Sequence, residues 1–119
     1  MSASSMEKHV ADVFPEAIRA LPQADLPIKG ARAYLAQGER HQILFMQFSE
    51  EVELKEHAHG SQYGVVLEGT IRLTIGGETR TYGRGERYYI PEGVPHSGRI
   101  FAGYADITFF DEPRRFQAK

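Results

Sequence analysis

The sequence predicts an all-β protein, an antiparallel sandwich or barrel, preceded by a short helical segment. Three observations carry this. From Ala31 onward, short runs rich in Val, Ile, Thr, Tyr and Phe recur at even spacing. Gly and Pro punctuate them. No helix-period segment lies between the runs, so neighbouring strands must return against one another without a helical crossover. At 119 residues the chain makes one domain with one sizeable core.

Taken in order, residues 4–21 read as one or two short helices. Ser4 and Glu7 have capping-box spacing ahead of Met6, Val10 and Val13. Pro15 opens a second turn through Ala17, Ile18 and Leu21, and Pro22 and Pro27 stop it. His9 falls on the helix surface. Residues 1–30 are expected to pack on a barrel built from residues 31–119. Strands are expected near 31–36, 41–48, 52–57, 63–68, 70–75, 78–82, 86–90, 95–101 and 104–110. Gly76-Gly77 marks a tight hairpin. The run from His41 to Phe48 is apolar at both parities, which suits a strand covered on both faces, the second by a partner subunit or by the N-terminal helices.

Composition excludes several functions. Hydrophobic residues make up 41%, charged residues 25%, and the net charge is −2, so no bulk field draws nucleic acid or an anionic membrane. No apolar run approaches a membrane span, and the N-terminus lacks the basic-then-apolar plan of a signal peptide, so a cytoplasmic location is expected. Strand edges need cover, which predicts a homodimer. Cysteine is absent, so any metal site must use nitrogen and oxygen ligands.

Such ligands are present. On a strand, the two imidazoles of His57-Ala58-His59 would point to one face and can aim at one point. Gln62 follows three residues later with a neutral amide oxygen. His96 lies far along the chain, presented by the turn Pro91-Glu92-Gly93-Val94-Pro95. Three imidazoles and one oxygen, with positions left for water or substrate, describe an open site for one divalent ion: Mn, Fe, Co, Ni, Cu or Zn. By itself a His-x-His pair does not separate ligands from ordinary strand residues; the surrounding sequence does.

That surrounding sequence resembles the cupin superfamily. The segment His57–Gly69, HAHGSQYGVVLEG, is similar to the family's first motif, and Gly85–His96, GERYYIPEGVPH, to its second, matching Gly, Pro, Gly and His at the required spacing. The resemblance covers about residues 31–110 and implies a jelly-roll barrel with His57, His59, Gln62 and His96 around a metal. The chain departs from the pattern where Gln62 replaces the usual glutamate at a slightly short gap, and where Ile100 replaces a common asparagine. A neutral Gln62 leaves the ion its full charge, which favours a Lewis-acid role; otherwise Gln62 hydrogen-bonds a water held there.

The alternation of the last strand puts Tyr104, Asp106, Thr108 and Phe110 on one face. Asp106 is a candidate general base or substrate-binding group if that face looks into the barrel, and otherwise a solvated surface residue. The ending from Phe110 to Phe116 resembles the tail of small cupins that linearise unsaturated uronates, which implies substrate roles for Phe110 and Arg114. In those enzymes the aspartate position corresponds to Thr108 here, and the glutamine lies farther beyond the His pair. The other reading of Arg114 and Arg115 is a solvated basic end. His41 is a pocket residue or a strand-end histidine. Tyr63, Tyr88 and Tyr89 read as packing residues, with Tyr63 close enough to the metal motif to meet substrate. These features imply a metal-dependent enzyme acting on a small polar molecule such as a sugar or sugar acid, by hydrolysis, isomerisation or ring opening. The competing readings are a non-catalytic small-molecule or sugar-binding module, a metal-dependent dioxygenase, and a structural barrel with a vestigial site.

Overall fold

The computed structural model describes residues 13–119. The helical turn expected around Ser4, Met6, Glu7 and Val10, and the position of His9, lie outside these residues. Within them, a single-turn helix α1 (Glu16–Arg19) follows Pro15, whose extended backbone forms the N-cap. The helix ends ahead of Pro22, as the missing proline N–H requires. Among the described residues, no helix is long and apolar enough to cross a membrane.

Nine strands follow: β1 (Ala31–Gln37), β2 (Gln42–Phe48), β3 (Val52–His57), β4 (Gln62–Glu68), β5 (Ile71–Ile75), β6 (Glu78–Tyr82), β7 (Arg87–Ile90), β8 (His96–Ile100) and β9 (Ala105–Phe110). Every boundary lies within one residue of the position read from the sequence. The strands form a five-stranded sheet, β1-β2-β9-β4-β7, and a four-stranded sheet, β3-β8-β5-β6, antiparallel throughout. The inner faces share one core, with Leu44, Met46 and Val66 from the first sheet and Ile71, Leu73 and Ile100 from the second. This is the double-sheet jelly roll.

Local sequence explains the joints. Gly76 and Gly77 turn β5 into β6 with φ of 56° and 85°, the left-handed pair that a two-residue hairpin needs. The edge strand β6, Glu-Thr-Arg-Thr-Tyr, is polar and almost fully exposed, which discourages a further strand from adding there. On β2 the even positions Gln42, Leu44, Met46 and Phe48 are buried, while the odd positions are half-buried. Phe14 covers one of these outer positions, edge-on to Phe45 at 5.7 Å and to Tyr34 at 6.2 Å. The cover on both faces of β2 therefore comes in part from the residue just ahead of α1.

Parity on β2 gives a direct test. Leu44 is fully enclosed, so Leu44→Ala is expected to cost about 2–5 kcal/mol. Ile43→Ala, one residue away on the half-buried outer face, should cost less than half of that. Urea denaturation checks both through the transition midpoint. Equal losses would contradict the register.

Candidate metal centre and cavity

The three histidines meet where β3 and β8 run side by side. His57 ends β3 opposite His96, which begins β8. A register shift between Leu54 and His57 turns the end of β3, as a bulge does. His59 is not on the strand. β3 stops at His57, so the same-face argument from the sequence fails for this residue, and the loop brings it round instead. That loop is pinned twice: the Gly93 N–H donates to the His59 carbonyl at 2.9 Å, and the Gly60 N–H donates to Glu112 Oε1 at 2.6 Å. On the other side, the Gly76 N–H bonds the Pro95 carbonyl at 3.0 Å and fixes the entry to His96. Gly98, two residues further, has no room for a side chain, because a Cβ would strike the Arg72 backbone carbonyl on β5.

Ring orientation follows from the backbone. His57 Nδ1 bonds the Lys55 carbonyl at 2.7 Å, His59 Nδ1 the Gly60 carbonyl at 2.7 Å, and His96 Nδ1 the Val94 carbonyl at 3.0 Å. A carbonyl only accepts, so each Nδ1 of a neutral ring carries the proton and each Nε2 keeps its lone pair. Ligand atoms of the three rings lie within 4.8 Å of one another. His59 Nε2 and His96 Nε2 face each other at 3.1 Å. Two lone pairs pointed at each other need a cation or a proton between them. The donor set therefore fits a divalent ion.

Electrostatics favour the neutral rings. Burial pulls His59 down to about 4, and the charges of Arg115, His96 and His57 add to that against the Gly60 carbonyl. His96 is lowered by burial and by His57 and Arg115, against the Val94 carbonyl. Glu112 Oε1 is 3.8 Å from His59 Nδ1, but this carboxylate is already engaged by Gly60, and burial outweighs it. At neutral pH protons do not compete for these two ligands.

His57 and His96 open into a cavity of about 300 Å³ between the sheets, also lined by Gln62, Tyr88, Asp106, Phe110 and Arg115. Asp106 is not on a solvated face; it is 1% exposed. It accepts from Tyr104 Oη at 2.6 Å, Tyr88 Oη at 3.0 Å and Thr108 Oγ1 at 2.9 Å. Burial pushes Asp106 up to about 6 despite these three donors. Burial also raises both tyrosines, with the Asp106 charge adding to it, so they stay phenols. Gln62 Nε2 reaches Tyr88 Oη at 3.4 Å, which links the metal motif to the acid. Gly64 makes room for this chain, since a Cβ there would run into the Tyr88 ring.

Other expected site residues fall elsewhere. Thr108 is fully buried and serves Asp106. His41 stacks on Phe109 at 5.1 Å, at the outer end of β2, and does not line the cavity. Tyr63 is 38% exposed, with its hydroxyl 3.4 Å from Arg87. Arg114 lines a separate surface groove with Gln37 and Pro113; Arg115 is the arginine in the cavity. Beyond Phe110 the chain has no strand period, so parity could not choose between 114 and 115. The segment is held by Gln42, whose amide bonds both the carbonyl and the N–H of Phe116 at 2.7 and 3.0 Å. Glu112, Tyr88 and Arg115 are the residues that sequence reasoning missed.

Asp106 predicts a pH signature. Its folded value lies above its unfolded one, so its proton stabilises the fold at low pH and that contribution is lost as pH rises through about 6. Lowered histidines act in the opposite sense, so Asp106→Asn is needed as the reference. From pH 7 to pH 4 the wild type should gain up to about 3 kcal/mol relative to Asp106→Asn in urea unfolding. A constant difference would contradict the assignment.

Comparison with known proteins agrees with this fold. The family model described as a cupin domain matches residues 44–106. Mannose-1-phosphate guanylyltransferase ManC of Salmonella typhimurium is 38% identical over 61 residues, which is 50% of this chain and 13% of that enzyme. The corresponding enzyme of Escherichia coli K12 is 33% identical over 61 residues. The chain thus matches only a small part of these longer relatives. Among solved structures, an RmlC-like cupin from Shewanella frigidimarina superposes with a TM-score of 0.68 at 22% identity, covering 79% of this chain and 86% of that one. KdgF from Halomonas gives 0.65 at 19% identity, with 77% and 86% covered. A variant of Bacillus subtilis oxalate decarboxylase gives 0.63 at 23% identity, with 77% and 28% covered. These structures share the fold, and with the family match over more than half of its length, the chain belongs to the cupins.

Proposed function

We propose that this cupin is a metal-dependent enzyme acting on a small oxygen-bearing molecule, with His57, His59 and His96 holding one divalent ion. The observation that supports it is the convergence of three imidazoles whose Nδ1 atoms are all spent on backbone carbonyls. Gln62, half-buried at the start of β4, is the fourth ligand in this reading. When bound, the ion supplies a Lewis acid, and a fully neutral ligand set leaves its charge undiminished. Asp106 supplies the proton-holding group at the cavity wall, poised near neutrality by burial. Tyr88 carries the hydrogen-bond link from Asp106 toward Gln62. Hydrolysis, isomerisation and ring opening all fall within this chemistry.

A second reading is a binding module without turnover. It is favoured by the full satisfaction of Asp106, whose three hydroxyl donors suit a purely structural carboxyl. Asp106→Asn separates the two: a catalytic role lowers turnover at unchanged metal content, whereas a structural role lowers only stability. The homodimer belongs with the proposal as well. Tyr63, Tyr89 and Phe109 form an exposed row across β4, β7 and β9, and light scattering at micromolar concentration should give twice the chain mass. A monomer mass contradicts it.

The decisive experiment is elemental analysis of protein purified without chelator, joined to turnover of small carbonyl and carboxylate compounds. About one equivalent of metal per chain is expected for the wild type, and below about a tenth for His96→Ala. Turnover should vanish on chelation and return on adding metal. Gln62→Glu should hold metal more tightly and turn over at least about tenfold more slowly, because a charged ligand weakens the Lewis acid. A metal-free protein with full turnover would overturn the proposal.

A further inference from the structure

Metal chemistry leaves one group of the cavity wall unexplained, the guanidinium of Arg115, whose charge also reaches His59 and His96. The Nε of Arg115 is buried and has no hydrogen-bond partner. Its guanidinium lies over two rings, 5.5 Å from the centre of Phe110 and 5.0 Å from that of Phe116. Among the described residues, no carboxylate comes within ion-pair distance of it. Glu112 acts on it only through space and is held by Gly60. Arginine does not shed its proton, so this is a half-buried cation whose Nε has lost water without gaining an acceptor, a cost the two aromatic faces offset only in part. A planar guanidinium with a free Nε edge suits a carboxylate.

The remainder of the wall decides what that carboxylate is attached to. Six lining residues carry a polar group, namely His57, Gln62, Tyr88, His96, Asp106 and Arg115, and the other twelve carry none. Tyr88 and Asp106 are engaged with each other, and the histidines face the metal position. With Gln62 assigned to the ion and bonded to Tyr88, Arg115 is what remains for a ligand. A sugar brings several hydroxyls, and each one buried without a partner costs about 1–3 kcal/mol. A hydrocarbon body against Met46, Leu54, Ile71, Leu73 and Ile90 costs nothing of the kind and gains burial. The cavity holds roughly ten waters' worth of space at ~30 Å³ each, which limits the ligand to a small molecule.

We propose that the cavity takes a small carboxylate with an apolar body, its carboxylate paired with Arg115 and its hydrocarbon part between the sheets. This rests on the reading of the same cavity as the substrate site, and narrows the substrate class away from polyols. Arg115 is a binding group here, acting at the end of the ligand away from the hydrocarbon wall.

Calorimetric titration with three probes tests it: 3-phenylpropanoate, its neutral analogue 3-phenylpropanamide, and glucuronate as a polyol carboxylate. The acid should bind at least about tenfold more tightly than either of the others. Arg115→Met should bring acid and amide within about twofold while keeping both ahead of glucuronate. If that variant does not fold, the wild-type ranking still decides. The same ranking is expected in chelator-treated and metal-loaded protein, because Arg115 and the wall act without the ion. Failure of the metal proposal therefore leaves this ranking intact, and failure of the ranking leaves metal stoichiometry intact. Glucuronate binding as tightly as 3-phenylpropanoate, equal binding of acid and amide, or an unchanged preference in Arg115→Met would each overturn it.

Discussion

Each of the three site imidazoles gives its Nδ1 proton to a carbonyl of its own local backbone, and the rest of the site depends on that. His57 and His96 use the same device, a carbonyl two residues earlier in the chain, at paired positions on β3 and β8. His59 uses the carbonyl of the next residue, Gly60. The tautomers are thus set by chain geometry before any ligand arrives, and the lone pairs must converge. Features that look like separate oddities then share a purpose. The bulge in β3 aims His57, the Gly93 contact and Glu112 hold the His59 loop, and the absent side chain of Gly98 lets β8 lie close against β5. For His59 and His96 the neutral ring is the low-cost form, because charging them in a partly buried cluster would oppose both solvation and their neighbours.

The cavity beneath this centre has two chemical ends. Near the histidines, Gln62, Tyr88 and Asp106 form a short hydrogen-bonded chain in which the acid is buried yet fully served by hydroxyl donors. Burial costs an unpaired carboxylate far more than a paired one, so the two tyrosines and Thr108 are what allow Asp106 to stay inside at all. The remaining wall is hydrocarbon, interrupted by Arg115 in the C-terminal segment, whose charge still reaches His59 and His96. Gln42, fully buried at the start of β2, grips Phe116 through both of its backbone groups and so sets where Arg115 lies. This amide ties the tail to the site together with the Glu112 bond to Gly60 and the Gln37 bond to the Pro113 carbonyl.

How much could be read from the sequence follows from how regular the backbone is. On strands, period-two alternation placed Asp106 and Phe110 together on the inner face of β9, and glycines marked the turns closely enough to place all nine strands within a residue. Spacing also singled out the three histidines that meet. The reasoning about His59 reached the right residue by the wrong route, since the strand ends at His57 and tertiary contacts bring the loop round. Arg114 rather than Arg115 follows from the spacing of the uronate-linearising tail it resembles, and beyond Phe110 there is no strand period to check that choice against the cavity. His41 and Tyr63 looked eligible only through their position near motifs, and both sit outside the cavity. Glu112 and Tyr88 carry no local signal: their roles come from contacts 52 and 18 residues away in the chain.

Function follows from the arrangement of donors, because a jelly roll alone hosts many activities. The most direct measurement is therefore a crystal structure of the metal-loaded protein with anomalous scattering recorded at the metal edge. A single anomalous peak shared by the Nε2 atoms of His57, His59 and His96, with all three Nδ1 atoms still on their carbonyls, is the predicted result. No peak among the three rings, or ligation through any Nδ1, would contradict the account.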